Sequence, residues 1–166
     1  LPGMAYRCRF DDVWSMLFLS EGSQELTGYG VSELLEGGDR NYEEITHEED
    51  RDMVRRTIEL AVKQRRSYQM EYRIMTKSGE IKWVWERGNA IYDQHNYPVY
   101  LDGFIIDVSG RRKAEDELKK AAQDLVELNA TKDRFFTLLA HDLQNPVYAI
   151  ISLSEFISEN YQSFDR

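Results

Sequence analysis

The sequence predicts an α+β fold: a five-stranded antiparallel sheet with helices on one face, followed by one long coiled-coil helix. Three observations predict it. All ten glycines lie at or before Gly110 and Pro146 is the only proline after Pro98, so residues 111–166 carry almost nothing that stops a helix. Over residues 68–74 and 81–86, successive side chains alternate with the period of half-buried strands, and a further strand follows over 99–108. The order strand-strand, helices, strand-strand-strand then implies an antiparallel sheet.

Residues 4–10 and 14–19 read as a strand pair joined at Asp11 and Asp12. Short helical pieces follow, punctuated by Thr27-Gly28-Tyr29-Gly30 and Glu36-Gly37-Gly38-Asp39. Thr46-His47-Glu48-Glu49 fits a capping box, with Thr46 and Glu49 satisfying the free amides of a helix start. The helix behind it runs to about Arg65, with Met53, Val54, Ile58, Ala61 and Val62 on one stripe. Tyr68, Met70, Tyr72 and Ile74 mark the next strand, and Lys77-Ser78-Gly79 turns the chain. Ile81, Trp83 and Trp85 then alternate with Lys82, Val84 and Glu86, and the strand over 99–108 follows Pro98.

That order, with these residues, resembles the PAS family, in the subgroup common in bacterial sensor kinases. The resemblance rests on WSMLFLSEGSQELTGY at 14–29, ITHEEDR at 45–51, GEIKWV at 79–84 and DGFIIDVSGRRKAE at 102–115. It implies a sensor or interaction module over residues 1–108 and leaves the signal unnamed. In the PAS family an aspartate at the place of Asp107 links the last strand to the output helix. As a local reading, Ser109 caps that helix, and Asp107 sets a carboxylate near its positive end.

Beyond Ser109, Ala114, Leu118, Ala121, Leu125, Leu128, Lys132, Phe135 and Leu139 recur at alternating spacings of four and three. This is a heptad seam and implies a partner helix, most simply that of a second chain in a homodimer. Lys132 is a polar intruder of the kind that fixes register. Continuing the count past Leu139 buries Asp142 and Asn160. A four-residue stutter to Leu143 buries Leu143, Pro146, Ile150, Leu153 and Ile157 instead. In that register His141 falls on the outermost position, and Asn145 lies one turn on along the same face. Pro146 removes a backbone hydrogen bond and is expected to kink or soften the helix beyond the histidine.

Residues 135–146, FFTLLAHDLQNP, resemble the phosphoacceptor box of the dimerisation and phosphotransfer domain of histidine kinases: His, an acid, two variable residues, Thr or Asn, then Pro. The chemistry suits the arrangement. A neutral imidazole attacks phosphorus through one nitrogen while the other keeps its proton, and an adjacent carboxylate fixes that tautomer. The resemblance makes His141 the phosphoacceptor, Asp142 its acid/base partner and Asn145 the residue that orients a water in the phosphatase reaction. Residues 109–132 become a coiled-coil signalling helix with Asp107 and Pro146 as its hinges. Residues 133–166 become the first helix of the dimerisation bundle.

Other candidates carry less. His47 sits in a helix-start signal and His95 in a hairpin loop, and the three histidines lack metal-ligand spacing, so no metal site is expected. Cys8 lies in the first strand rather than mid-fold, which argues against flavin and for a packed core thiol; haem on His47 is set aside for the capping role. Tyr68, Tyr72, Trp83 and Trp85 read as core or interface before they read as a ligand pocket. Arg111-Arg112-Lys113, followed by acids, reads as a solvated helix start. The net charge of -9 argues against nucleic acid. A single cysteine, no secretory signal and no apolar run of about 20 residues fit a cytoplasmic chain, with a membrane anchor upstream left open.

With no glycine after Gly110, the glycine-rich lid loops of an ATP-binding domain are expected elsewhere in a longer parent. The resemblance thus implies a sensor histidine kinase whose Mg-ATP is held by a separate catalytic domain and whose phosphate goes to a response-regulator receiver. No cofactor is then expected in this chain itself, and the ligand of the PAS unit is left unnamed. The alternatives are a non-enzymatic PAS scaffold with an inactive box, or a PAS module serving a cyclic-nucleotide or transcription output.

Overall fold

The computed structural model of the chain describes residues 3–161. They form β1 (Gly3–Arg9), β2 (Met16–Leu19), α1 (Gly22–Thr27), α2 (Val31–Leu34), α3 (Tyr42–Ile45), α4 (Glu48–Lys63), β3 (Tyr68–Met75), β4 (Ile81–Tyr92), β5 (Pro98–Asp107) and α5 (Ser109–Tyr161). The strands make one sheet in the order β2-β1-β5-β4-β3, with every neighbouring pair antiparallel. The fold is the α+β arrangement that the element order implies.

The chain divides into two compact units, Leu1–Ala114 and Glu115–Arg166. In the first, alternate residues of β1, β3 and β5 point into one core: Met4, Tyr6 and Cys8 from β1, Tyr68, Met70, Tyr72 and Ile74 from β3, Leu101 and Ile105 from β5. α4 seals part of it with Val54, Ile58, Ala61 and Val62, the stripe its spacing predicts, whereas Met53 is exposed. The second unit is helix throughout its described length. Residues 162–166, the end of the span assigned to the dimerisation helix, lie outside the described residues.

Three local expectations are corrected. β2 starts at Met16, because Trp14 adopts a positive φ of 49° in a tight turn. Asp11 holds that turn through the amides of Val13 and Ser15 and the Ser15 hydroxyl. The cap of α4 is His47, whose Nδ1 accepts the Glu49 amide at 3.4 Å. Thr46 is buried and donates its hydroxyl to the Tyr42 carbonyl, so it has no lone role at the helix start. On β4 the inward set is Val84 and Glu86, and the two tryptophans stand on the outer face of the sheet. Among the described residues, no helix is long and apolar enough to cross a membrane.

Candidate functional site

α5 runs unbroken from Ser109 to Tyr161 with Pro146 inside it. His141, Asp142 and Asn145 therefore sit on continuous helix, and the four-residue step from His141 to Asn145 rises about 6 Å on one face. The His141 side chain is 74% exposed and its Nδ1 lies 3.3 Å from Asp142 Oδ1. With the Nδ1 proton directed at that carboxylate, Nε2 keeps a lone pair facing solvent. The pair is loose and solvated, so it adds little to the stability of the helix. The apolar positions around it, Leu139, Leu143 and Ile150 among them, are exposed in the single chain.

The junction between sheet and α5 is built from charge and one indole. Asp107 Oδ1 accepts the Ser109 amide at 2.8 Å, and its other oxygen lies 3.5 Å from Lys82 Nζ. Burial pushes the Asp107 carboxyl up, but these donors outweigh it and hold the carboxyl below its usual range. Ser109 is the first helical residue and does not cap: its hydroxyl accepts the Trp83 amide at 2.9 Å. Asp107 supplies the cap instead. The basic run beyond is not simply solvated. Arg111 donates to Glu71 Oε1, Arg112 Nε donates to Glu71 Oε2 at 2.9 Å, and the Arg112 guanidinium lies 3.7 Å above the Trp83 ring.

A third constellation is assembled from residues far apart in the sequence. Glu86 is buried on the inner face of β4 and receives hydroxyl hydrogen bonds from Tyr6 on one oxygen and from Tyr72, at 2.7 Å, on the other. Tyr68 lies 2.6 Å from the Tyr6 hydroxyl and Tyr42 lies 3.2 Å from that of Tyr72. Burial pushes the Glu86 carboxyl up and the two hydroxyls pull it part of the way back. An internal cavity of about 20 Å³, room for one water, borders Tyr6, Cys8, Trp14, Tyr42, Tyr72 and Glu86. Cys8 is the packed thiol its strand position suggests, and burial raises its pKa to about 12. The signal that marks Glu86 is the run of tyrosines at 6, 42, 68 and 72, the hydroxyls that replace water around a buried acid.

Comparison with known proteins supplies the context. The PAS fold family matches residues 16–105. A methyl sulfide methyltransferase-associated sensor of Methanosarcina acetivorans is 32% identical over 109 residues, covering 65% of this chain and 11% of that protein. The sensor histidine kinase TmoS of Ectopseudomonas mendocina is 24% identical over 132 residues, covering 78% of this chain and 13% of the kinase. The chain thus spans only a small part of the curated relatives it matches. Among solved structures, a sensory box histidine kinase/response regulator from Burkholderia thailandensis superposes with a TM-score of 0.61 at 28% identity. That superposition covers 75% of this chain and 90% of the other.

Proposed function

The chain belongs to the PAS family, and from that premise we propose that it is the sensing and phosphate-accepting portion of a two-component sensor histidine kinase. The observation that carries the reading is His141, exposed on α5 with the Asp142 carboxylate 3.3 Å from its Nδ1, inside the His-Asp-x-x-Asn-Pro box. The relatives named as sensor and sensor histidine kinase support it.

The proposed chemistry follows from the imidazole. Asp142 holds the proton on Nδ1, so the Nε2 lone pair attacks the γ-phosphorus of Mg-ATP presented by a catalytic domain outside this sequence. The Nε2–P bond forms as the bond from phosphorus to the bridging oxygen breaks and ADP leaves. The ring then gives up its Nδ1 proton through Asp142. A receiver aspartate next attacks the same phosphorus, the N–P bond breaks, and the ring regains its proton. Asn145, one turn away, orients the water that hydrolyses the receiver's acyl phosphate. The PAS unit supplies control, and α5, paired with that of a second chain through its heptad seam, transmits it.

The test mixes the chain with a cognate catalytic domain and labelled Mg-ATP. Wild type is expected to incorporate acid-labile, base-stable phosphate and His141→Gln none. Asp142→Asn is expected to slow incorporation about a hundredfold. Equal labelling of His141→Gln and wild type overturns the assignment. Dimerisation with no labelling of either chain identifies a scaffold with an inactive box.

A further inference from the structure

The outer face of the sheet carries an unbroken line of charge from the first turn of α4 to the first turn of α5. Asp50, in that first turn of α4, grips Arg73 with Oδ1 at 2.6 Å from Nη2 and Oδ2 at 2.9 Å from both Nε and the backbone amide. Glu49 adds a bond of 2.9 Å. Arg73 and Trp83 are direct partners across the β3–β4 ladder, with the guanidinium 5.6 Å from the ring centre. Arg112 lies over the same ring at 3.7 Å. Glu71 completes the line by holding Arg111 and Arg112.

Two guanidiniums against one indole repel each other unless each is neutralised, and here each has its own acid: Asp50 for Arg73 and Glu71 for Arg112. Glu71 and Arg73 are two residues apart on the same face of β3, roughly 7 Å along the strand. That is within reach of an arginine side chain. Glu71 is also half withdrawn from water, and although burial pushes its carboxyl up, the two arginines outweigh this and hold it low. An arginine released by Asp50 therefore has a second acid at hand, one already engaged by the output helix.

We propose that Glu71 is the exchange point of a charge switch. With the first turn of α4 seated, Asp50 keeps Arg73 and Glu71 keeps the start of α5. When α4 shifts, Arg73 moves onto Glu71, and the Arg111-Arg112 turn loses its anchor. The input end is placed for this, because Val54 and Ile58, one and two turns beyond Asp50, line the internal cavity. The switch rests on the reading that the PAS unit controls α5, but it is a two-state element whose equilibrium both ends bias, and that can be measured without any phosphotransfer.

The test is amide hydrogen exchange on the whole chain. Asp50→Asn is expected to speed exchange at residues 112–114, which Asp50 does not touch, on the order of threefold to tenfold, while the amides of Leu101 and Ile105 stay protected. Because coupling is reciprocal, Arg112→Ala is expected to speed exchange in the first turn of α4 by a comparable factor. In a Glu71→Gln background, Asp50→Asn is expected to add nothing at 112–114. Should each substitution loosen only its own end, the switch is wrong, whatever His141 does in the phosphate assay. If Asp50→Asn unfolds the unit, the Arg112→Ala arm decides alone, since Arg112 lies outside the core.

Discussion

Glu86 shows what a single residue contributes and why its place was hidden. Alternation along residues 81–86 gives the period of a strand but not which set points inward, and two tryptophans drew the expected core to the wrong face. The structure buries Val84 and Glu86 because Tyr6 and Tyr72, distant in sequence, replace water around the carboxylate. The run that resembles a phosphoacceptor box stands out in the sequence because its residues are consecutive; the tyrosine cluster does not, because β1, β3, β4 and α3 build it together. The raised Glu86 carboxyl has a definite sign in linkage. The folded state binds its proton more tightly than the unfolded chain, whose glutamate titrates near about 4.3. The Glu86 contribution is thus fully present below that pH and is lost as pH rises through the folded value. Asp50, Asp107 and Glu71 shift the other way and oppose it on acidification. The difference in Tm between wild type and Glu86→Gln isolates the acid: it is expected to fall as pH rises from the unfolded glutamate's value of about 4.3 through the raised folded one, and a pH-independent difference would contradict the burial argument. Tyr6→Phe, which strips Glu86 of one donor, is expected to cost about 1–3 kcal/mol by urea unfolding.

At the level of elements, β4 and β5 meet at a pair of glycines, Gly88 opposite Gly103. A Cβ on Gly103 would lie 2.7 Å from the Arg87 carbonyl and 2.8 Å from the Tyr6 ring, and one on Gly88 would strike Tyr68. The two absent side chains make room for the tyrosines that hold Glu86, a purpose that glycine in a strand does not announce. Gly88→Ala is expected to destabilise the unit by about 1–3 kcal/mol in denaturant unfolding. α4 was legible in its stripe but not in its cap, since His47 takes the position that Thr46 fits by sequence. Its imidazole accepts one amide hydrogen bond, as a threonine hydroxyl would. For α5, the length is legible because little interrupts a helix after Gly110, whereas the seam is a pairing that only a second helix can show. Cysteines at Leu125 and Leu128 test the seam by disulfide crosslinking, without interference from Cys8, whose buried thiol is held protonated. Efficient crosslinking at both sites is expected, against little at an outward control such as Lys119.

On the scale of the whole chain, the two units differ in what completes them. The PAS unit closes its own core, and its buried side-chain polar atoms, among the described residues, all find partners. The helical unit leaves Leu118, Leu125, Leu128 and Phe135 more than half exposed, an apolar row that water does not favour. Helicity beyond residue 115 is accordingly expected to depend on protein concentration, with Leu125→Asp weakening self-association about a hundredfold by sedimentation while the PAS unit keeps its Tm. The fold class could be read from the sequence because strand periods and glycine placement are local. The line of charge joining α4 to α5 could not, because Glu71, Trp83 and Arg112 come together only once the sheet exists.

Trp83 carries one more consequence. An indole flanked by two guanidiniums sits in an electric field that shifts its emission, and moving either cation changes that field. A charge switch of the kind proposed above, which moves Arg73 and Arg112, is therefore expected to change Trp83 emission. The wild-type spectrum minus that of Trp83→Phe isolates this colour from Trp14 and Trp85, so candidate stimuli can be screened by fluorescence before any enzymology is attempted.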